Sequence, residues 1–449
     1  MIPTAATQLA THFRELRIGD IPEESKSAIK RLLLDYLGVA IAGSQVKSGS
    51  IARAFVKSCG GYEQATLIGD AARLPASQAA FANAISSHSL ELDDIDVLAL
   101  FHFSPPVYSA ALAAAELGEA SGEQLLIALA AGCEMMERAS RAANNSLRNR
   151  GFHTTPSCGV FGAAIAAGSL LGLDASAMVS ALGLAGAQAA GLMEMYGPSM
   201  QKRFNPGPAA RSGITAAQMA QLGFTGADTI FEGERGFLRA YTDEFSANRL
   251  LEDLDEPYVL NIELKPYSCA RPIHNAIDCA LDIRKRHAPA LEAITGIHVL
   301  RHPDWAHYHQ NRTPQTYHEA QVSLPYSVAV ALKDGQALFA QYDNARLHEP
   351  DLERLMALTE FSTDASLPRG VSCRITLTMA DGDELVSQVD HPKGSIGNPM
   401  SDDEVSAKFN DLAMPVVGKE SVARIRDIVT RIEDFDDVTQ LLRLTTVEG

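Results

Sequence analysis

The stretch CGVFGAAIAAGSLL, residues 158–171, consists almost wholly of small and apolar residues. A helix that is apolar on every face is buried, and this one has side chains too small to face lipid. Residues 175–190 have the same character, and Asp174 is a cap signal before them. The N-terminal half of the chain is therefore predicted to contain closely packed helices.

Helical patterns extend from this stretch in both directions, as far as about residue 250. Residues 22–42 place apolar side chains at helical spacing, and Gly43 supplies a stop signal. Similar patterns cover residues 77–92, 107–117 and 122–143. The last fifty residues, from Ser401 onward, return to helix with an acidic first turn.

The pattern changes after about residue 265. Residues 294–300 and 371–379 alternate and are rich in β-branched side chains, and Asp381-Gly382 joins the second run to residues 384–389 as a hairpin. Residues 320–332 are helical. We therefore predict a mainly α fold with an inserted α+β domain. A large all-helical domain comprises residues 1–265 and 397–449, and a smaller lid domain comprises residues 266–396.

The composition argues against several classes of partner. The 449 residues carry a net charge of -17, which disfavours nucleic acid and anionic membrane surfaces. The N-terminus has no signal-peptide pattern, and no apolar run is long enough to span a bilayer. The six cysteines form no CxxC pair, so neither a zinc ribbon nor a redox dithiol is indicated. A cytoplasmic location is predicted.

The first polar segment in these apolar surroundings is HSLELDDID, residues 88–96, followed by HFSPP, residues 102–106. Carboxylates and imidazoles gathered in this way could perform acid–base chemistry. A solvated acidic helix end is the alternative. A divalent-ion cluster of Asp93, Asp94 and Asp96 is another, although nothing else in the sequence completes such a site.

Two further polar segments precede small-residue helices. RNRGFHTT, residues 148–155, contains Arg150 and His153, and QKRFNPG, residues 201–207, contains Lys202. Cations and exposed amides at a helix start suit a carboxylate ligand. The alternative is that these cations pair with surface acids.

The fourth segment, KPYSCARPIH, residues 265–274, lies at the predicted domain switch, where clefts usually form. It offers Lys265, Tyr267, Arg271 and His274. His302, His307 and His309 have loose metal-like spacing but lack a convincing fourth ligand. No dinucleotide, P-loop or nucleophile-elbow motif is present.

In this order, these segments resemble the MmgE/PrpD family, which includes 2-methylcitrate dehydratase, cis-aconitate decarboxylase and iminodisuccinate epimerase. The matching stretches are LDYLGVAIAG (34–43), ANA (82–84), HSLELDD (88–94), GFHT (151–154), Lys202 with Gly207, Ala209 and Ala210, GFTG (223–226), Gly236-Phe237, KPY (265–267) with His274, EAQVSLPY (319–326), GNPMS (397–401) and Lys408-Phe409.

The resemblance implies a helical domain with an α+β lid, a homodimer, an active site in the cleft between the domains, and neither cofactor nor metal. The family's site positions fall on Asp93, His102, His153, Lys202, Lys265 and His274. We expect the first four to be catalytic. We expect Lys265, Tyr267, Arg271, His274 and Arg150 to bind a small anionic polycarboxylate.

The family's chemistry removes a proton next to a carboxylate, and nearby cations stabilise the resulting charge. Our hypothesis makes Lys202 or His153 the base and His102 the acid. A dehydration like that of 2-methylcitrate dehydratase is the predicted reaction. Epimerisation of an aminodicarboxylic acid and cis-aconitate-type decarboxylation are the alternatives.

The sequence departs from the dehydratase pattern after His102, where Phe103 stands in place of the family's frequent proline. Leu98, Ala99, Leu100 and Phe101 also make this loop unusually apolar. Two rivals remain outside this chemistry: a non-catalytic helical binding protein and a metal-dependent hydratase. A chelator would inactivate the second of these.

Overall fold

Helices form most of the chain before residue 250. The computed structural model describes residues 3–96, 101–195, 199–368, 370 and 372–447. The first helices are α1 (Ala5–Glu15), α2 (Glu23–Gln45), α3 (Lys47–Cys59), α4 (Ala76–Ser87), α5 (Ser104–Leu117), α6 (Gly122–Asn149), α7 (Thr154–Leu170), α8 (Ala175–Gly186), α9 (Gln201–Phe204), α10 (Pro206–Gln221) and α11 (Phe237–Tyr241). A two-stranded sheet, β1 (Ala65–Thr66) and β2 (Arg73–Leu74), lies between α3 and α4 in sequence.

The later part of the chain is mixed. It contains α12 (His274–His287), β3 (Ile294–Arg301), α13 (Tyr317–Ala320), α14 (Leu324–Asp334), α15 (Pro350–Ala357), β4 (Thr359–Thr363), β5 (Cys373–Met379) and β6 (Glu384–Val389). The sheet order is β4-β3-β5-β6, in which β3 and β4 are parallel and the other pairs antiparallel. The predicted hairpin around Asp381-Gly382 is confirmed as β5 and β6. Val371 of the predicted strand lies outside the described residues.

The chain ends in α16 (Asp402–Thr430) and α17 (Thr439–Arg443). Two units result: Met1–Tyr196, Gln201–Ile262 and Ser401–Gly449 form the first, and Gly197–Met200 with Glu263–Met400 forms the second. The predicted division placed its boundaries after residues 265 and 396. The mainly α class with a smaller α+β part is confirmed. In the part of the chain that the structure describes, no helix has the length and apolarity to cross a membrane.

The small apolar stretch of residues 158–171 lies almost entirely within α7, at the centre of the first unit. All but one of the seventeen residues of α7 are buried, and the helix packs against α5, α6, α8 and α10. Gly159 and Gly162 lie where an added Cβ would meet Pro106 at 2.6 Å and Gly132 O at 2.5 Å. Small residues here allow the helix axes to approach closely, as the sequence predicted.

The last long helix, α16, is bonded to the N-terminal part of the first unit. Ser401 and Glu404 form a capping box at the start of α16. The ammonium group of Lys408 donates to Asp35 Oδ1 at 2.5 Å on α2, and to the carbonyl oxygen of Leu92 at 2.7 Å. Leu92 belongs to the polar segment after α4. Helix α16 therefore positions that segment directly.

Gly43 does not stop α2, which continues to Gln45. A Cβ at Gly43 would overlap the carbonyl oxygen of Ser86 and lie 2.9 Å from the Ser86 carbonyl carbon, in α4. The glycine is present because two helices touch there.

We expect Gly43→Ala to destabilise the protein by about 1–3 kcal/mol, because α2 and α4 must separate. Alanine's better helix propensity, about 1 kcal/mol, offsets only part of this loss. Denaturant unfolding measures the change. Gly19→Ala is the control, since its added Cβ meets nothing within 4 Å. Equal stabilities for the two variants would contradict the close approach.

Candidate active site

The acidic segment after α4 is buried. Helix α4 ends at Ser87, five residues before the predicted end, and His88, Glu91, Asp93 and Asp94 are each at most 1% exposed. The alternative of a solvated acidic helix end is therefore wrong. Buried carboxylates need hydrogen-bond donors or cations, and each contact described below supplies them.

Asp94 fixes the start of α5. Its carboxylate accepts from the backbone N–H groups of Phe103, at 2.7 Å, and Ser104, at 3.1 Å, and from the Ser104 hydroxyl at 2.5 Å. Burial, and then the nearby Asp93, raise the pKa of Asp94 to about 7, although these hydrogen bonds act in the opposite direction. Asp94 thus holds the chain immediately after His102.

His102 is oriented through one ring nitrogen. Its Nδ1 lies 2.5 Å from the carbonyl oxygen of Asp94 and 3.2 Å from Asp93 Oδ2. A carbonyl oxygen can only accept, so Nδ1 carries a proton. The backbone N–H of His102 donates to the Thr155 hydroxyl at 3.1 Å. In the neutral ring, Nε2 is consequently the basic nitrogen.

His88, which was not among the site residues predicted from sequence, also contacts Asp93. Its Nδ1 lies 2.7 Å from Asp93 Oδ2, and its ring meets that of His102 edge to face, with centroids 4.9 Å apart. Burial is the main cause that lowers the pKa of His88, against the opposing effect of Asp93. The Asp93 carboxylate therefore sits between two imidazoles. The sequence signal that could have identified His88 is its position at the start of the same polar segment.

The same three residues also offer one potential metal ligand each. The candidate atoms of His88, Asp93 and His102 lie within 4.8 Å of one another. A metal ion there would have to replace the contacts between Asp93 and the two rings. Among the described residues, no potential ligand group contains Asp93, Asp94 and Asp96 together. The carboxylate of Asp94 is instead engaged at the start of α5.

Lys202 and Arg203, at the start of the α9–α10 region, share one buried carboxylate. The Lys202 ammonium and the Arg203 guanidinium each donate to one oxygen of Glu91. Glu91 has φ 56°, a left-handed conformation that costs a non-glycine residue on the order of 1–3 kcal/mol. The ion pairs compensate for this strain and orient the Lys202 side chain, which is only 12% exposed.

His153 stands at the N-cap of α7, and its backbone N–H donates to the Gly191 carbonyl at 3.0 Å. The Asn205 side-chain nitrogen lies 3.0 Å from His153 Nδ1. Burial lowers the pKa of His153 well below its usual value, and positive charge lowers it further. The groups that act in this way when they carry positive charge are His88, His102, Lys202 and Arg148. Asp93, His102, His153 and Lys202 thus belong to one interacting cluster in the first unit.

Of the candidates from residues 265–274, which lie in the second unit, Lys265, Arg271 and His274 are buried and Tyr267 is half-buried. Arg271 forms two hydrogen bonds with Glu263 Oε2, at 2.8 and 3.0 Å, and also donates to His274 Nδ1 at 3.1 Å. The Tyr267 hydroxyl donates to Asp278 at 2.5 Å, and burial raises the pKa of that carboxyl. Lys265 is 0% exposed. These residues form a second polar cluster.

Arg150 is placed differently from the other predicted residues. Its guanidinium pairs with Asp243 at 2.8 Å, and both side chains are exposed. Of the apolar loop before His102, Leu98, Ala99 and Leu100 lie outside the described residues. Phe101 and Phe103 are buried and meet edge to face, with ring centroids 4.6 Å apart.

Comparison with known proteins identifies the family of the chain. Residues 7–250 match the MmgE/PrpD N-terminal domain, and residues 267–434 match the MmgE/PrpD C-terminal domain. The chain therefore belongs to the MmgE/PrpD family, as its motifs predicted.

Several named relatives match nearly the whole chain. A cis-aconitate decarboxylase-like protein, oryM, from Aspergillus oryzae is 30% identical over 98% of this chain and 97% of its own length. The cis-aconitate decarboxylase of Aspergillus terreus is 28% identical, covering 96% and 93%. The human cis-aconitate decarboxylase is also 28% identical, covering 99% and 95%.

Proposed function

We propose that this protein is a lyase that acts on a small polycarboxylic acid by proton transfer at a carbon next to a carboxylate. The observation that carries the proposal is the Asp93 carboxylate held between His88 and His102, with His102 Nδ1 also bound to the Asp94 carbonyl oxygen. An imidazole backed by a carboxylate can accept a proton and be stabilised as imidazolium. The same group can then return the proton.

In this proposal His102 transfers the proton and Asp93 stabilises its charged form. Our sequence hypothesis made His102 the acid and Lys202 or His153 the base. The lowered pKa of His153 favours a neutral ring, which suits a hydrogen-bond donor to developing charge better than a strong acid. Lys202 is proposed to attract a substrate carboxylate. Lys265, Tyr267, Arg271 and His274 remain proposed binding residues, and Arg150 is given no role.

Decarboxylation is the reaction we propose first, because the relatives described above bear the name cis-aconitate decarboxylase. In cis-aconitate, carbon dioxide leaves from the carboxylate attached to the CH₂ group. The electrons of the broken C–C bond form a new double bond. The electrons of the old double bond move to the carbon beside a retained carboxylate, which then takes a proton. This reaction requires one proton donor, a role that the His102 imidazolium can fill.

Dehydration, the reaction predicted from the sequence, is the second candidate. It requires a base at the carbon and an acid at the leaving hydroxyl. The unprotonated Nε2 of neutral His102 suits the base, with Lys202 or His153 as the donor. The proposal includes no cofactor. The homodimer and the cytoplasmic location remain predictions from sequence.

A substrate panel in deuterated water tests the proposal. Chelator-treated protein is incubated with cis-aconitate, citrate, 2-methylcitrate and aminodicarboxylic acids, and the products are followed by NMR. We expect carbon dioxide release with one deuterium on the carbon that becomes protonated. Loss of water would assign dehydration, and an inverted deuterated centre would assign epimerisation.

The same experiment can reject the proposal. Absence of both deuterium incorporation and product formation with every acid, in a protein shown to be folded, would favour a binding role. Activity that appears only after a divalent ion is added would favour a metal-dependent reaction at His88, Asp93 and His102.

A further inference from the structure

The side chain of Asn205 is directed at His153. Asn205 stands at the N-cap of α10 with a helical backbone (φ -52°, ψ -42°), whereas an asparagine that caps a helix has an extended backbone and accepts a helix N–H through its side-chain oxygen. The Asn205 side chain makes no such bond. It contacts His153 instead, across 52 residues of sequence, and both side chains are buried.

The surroundings of Asn205 fix which end of its amide faces the histidine. The side-chain nitrogen lies 3.0 Å from His153 Nδ1, 3.2 Å from the sulfur of Met195 and 3.4 Å from the carbonyl oxygen of Leu192. The Leu192 oxygen can only accept, and the Met195 sulfur is a weak acceptor. The opposite orientation would turn the amide oxygen toward both of these atoms, which is electrostatically unfavourable.

We infer that Asn205 is a positioning residue that donates to His153 Nδ1 and thereby holds the ring as the Nε2–H tautomer. An amide N–H needs an acceptor, so Nδ1 must be unprotonated and the proton of the neutral ring lies on Nε2. The tautomer of His153 does not depend on the proposed function. Only the role given to the Nε2 proton rests on it. The Nε2–H group would donate to the charge that develops on a substrate carboxylate.

The two histidines then have opposite tautomers in their neutral forms. His102 carries its proton on Nδ1, facing Asp93 and Asp94, whereas His153 carries it on Nε2. Nε2 of neutral His102 is therefore an acceptor, whereas Nε2 of neutral His153 is a donor. The charged and titratable groups that act on His153 are His88, His102, Lys202 and Arg148, and when positively charged they disfavour a second proton on the ring. Burial acts in the same direction.

Direct observation of the tautomer is the first test and needs no substrate. The full-length protein is labelled with ¹⁵N-histidine, and long-range ¹H–¹⁵N spectra are recorded through the neutral pH range. The His153 signal is assigned by its loss in His153→Gln. We expect a protonated Nε2 and an unprotonated Nδ1 in the wild type. A protonated Nδ1 would overturn the inference.

Two substitutions at Asn205 test its role. Asn205→Asp has nearly the same shape but offers Nδ1 an acceptor, so it raises the pKa of His153 and favours a proton on Nδ1. Below this raised pKa the ring is imidazolium and retains Nε2–H, whereas above it Nε2 loses its proton. We expect a new loss of activity with rising pH, reaching about 10²-fold, comparable to removal of one preorganised donor.

Asn205→Ala removes the donor without supplying an acceptor. We expect a mixture of His153 tautomers and no new alkaline limb. Wild-type tautomers in the alanine variant, or an unchanged pH profile in the aspartate variant with a measured substrate, would overturn the role of Asn205. If no acid in the panel reacts, the spectra still decide the tautomer, while the proposed function fails separately.

Discussion

We expect His102→Gln to lower the turnover of whichever acid reacts in the substrate panel by about 10²–10⁴-fold, the usual contribution of a positioned acid or base. Glutamine keeps polar atoms at this position but cannot cycle between neutral and cationic forms near neutral pH. Because His102 contacts Asp93, Asp94 and Thr155, its removal also loosens the polar loop. The catalytic loss must therefore be separated from misfolding.

The matched control is His348→Gln, which makes the same change in an exposed imidazole paired with Glu353. It should leave turnover unchanged. Thermal unfolding of both variants identifies any structural loss. A folded His102→Gln protein with nearly wild-type turnover would remove His102 from the proposed mechanism.

The largest effect on stability is expected from Lys408→Met. The Asp35 side chain is 0% exposed, and the substitution leaves its carboxylate buried without the Lys408 ammonium group. Removing one partner of a buried ion pair costs about 3–5 kcal/mol. The Leu92 carbonyl oxygen loses a donor as well. The decrease is measured as a free energy of unfolding in denaturant.

Lys419→Met is the control, because Lys419 lies in α16 just beyond its kink at Gly418 and is exposed. Its effect should stay within about 0.5 kcal/mol. The double variant Lys408→Met with Asp35→Leu should recover part of the lost stability, since it removes both charges. Equal losses for Lys408→Met and Lys419→Met would show that the buried pair contributes little.

The parts of the fold that depend on local patterns were predictable from sequence. Helix α7 is apolar on every face, so only a buried helix could accommodate it. The β5–β6 hairpin follows from alternating strands around Asp381-Gly382. The acidic first turn after Ser401 predicted the start of α16, and the structure adds a capping box between Ser401 and Glu404 there.

Features that depend on distant contacts were not predictable in this way. The pattern after Ser77 favours helix to Leu92, yet α4 stops at Ser87 because His88, Glu91, Asp93 and Asp94 require partners elsewhere in the chain. Gly43 has the local signature of a helix stop, but its reason is the approach of α4. In neither case can the distant contact be identified from neighbouring residues.

The candidate site shows the same difference between local patterns and distant contacts. Asp93, His102, His153 and Lys202 could be named from their motifs, and the structure brings them into one cluster. His88, Glu91 and Asn205 lie in the same segments but were given no role. Their importance rests on contacts that include those of His88 with Asp93, Glu91 with Lys202, and Asn205 with His153. Residue type and spacing carry no information about such pairings.

The contact between Lys408 and Leu92 has a consequence for the order of biosynthesis. The chain is made from its N-terminus, and domains generally begin to fold as they emerge. The polar segment around Leu92 leaves the ribosome more than three hundred residues before the lysine that fastens it. A nascent or prematurely terminated chain lacks that fastening even when every catalytic candidate has been synthesised. Full assembly of the cluster therefore awaits near-completion of translation.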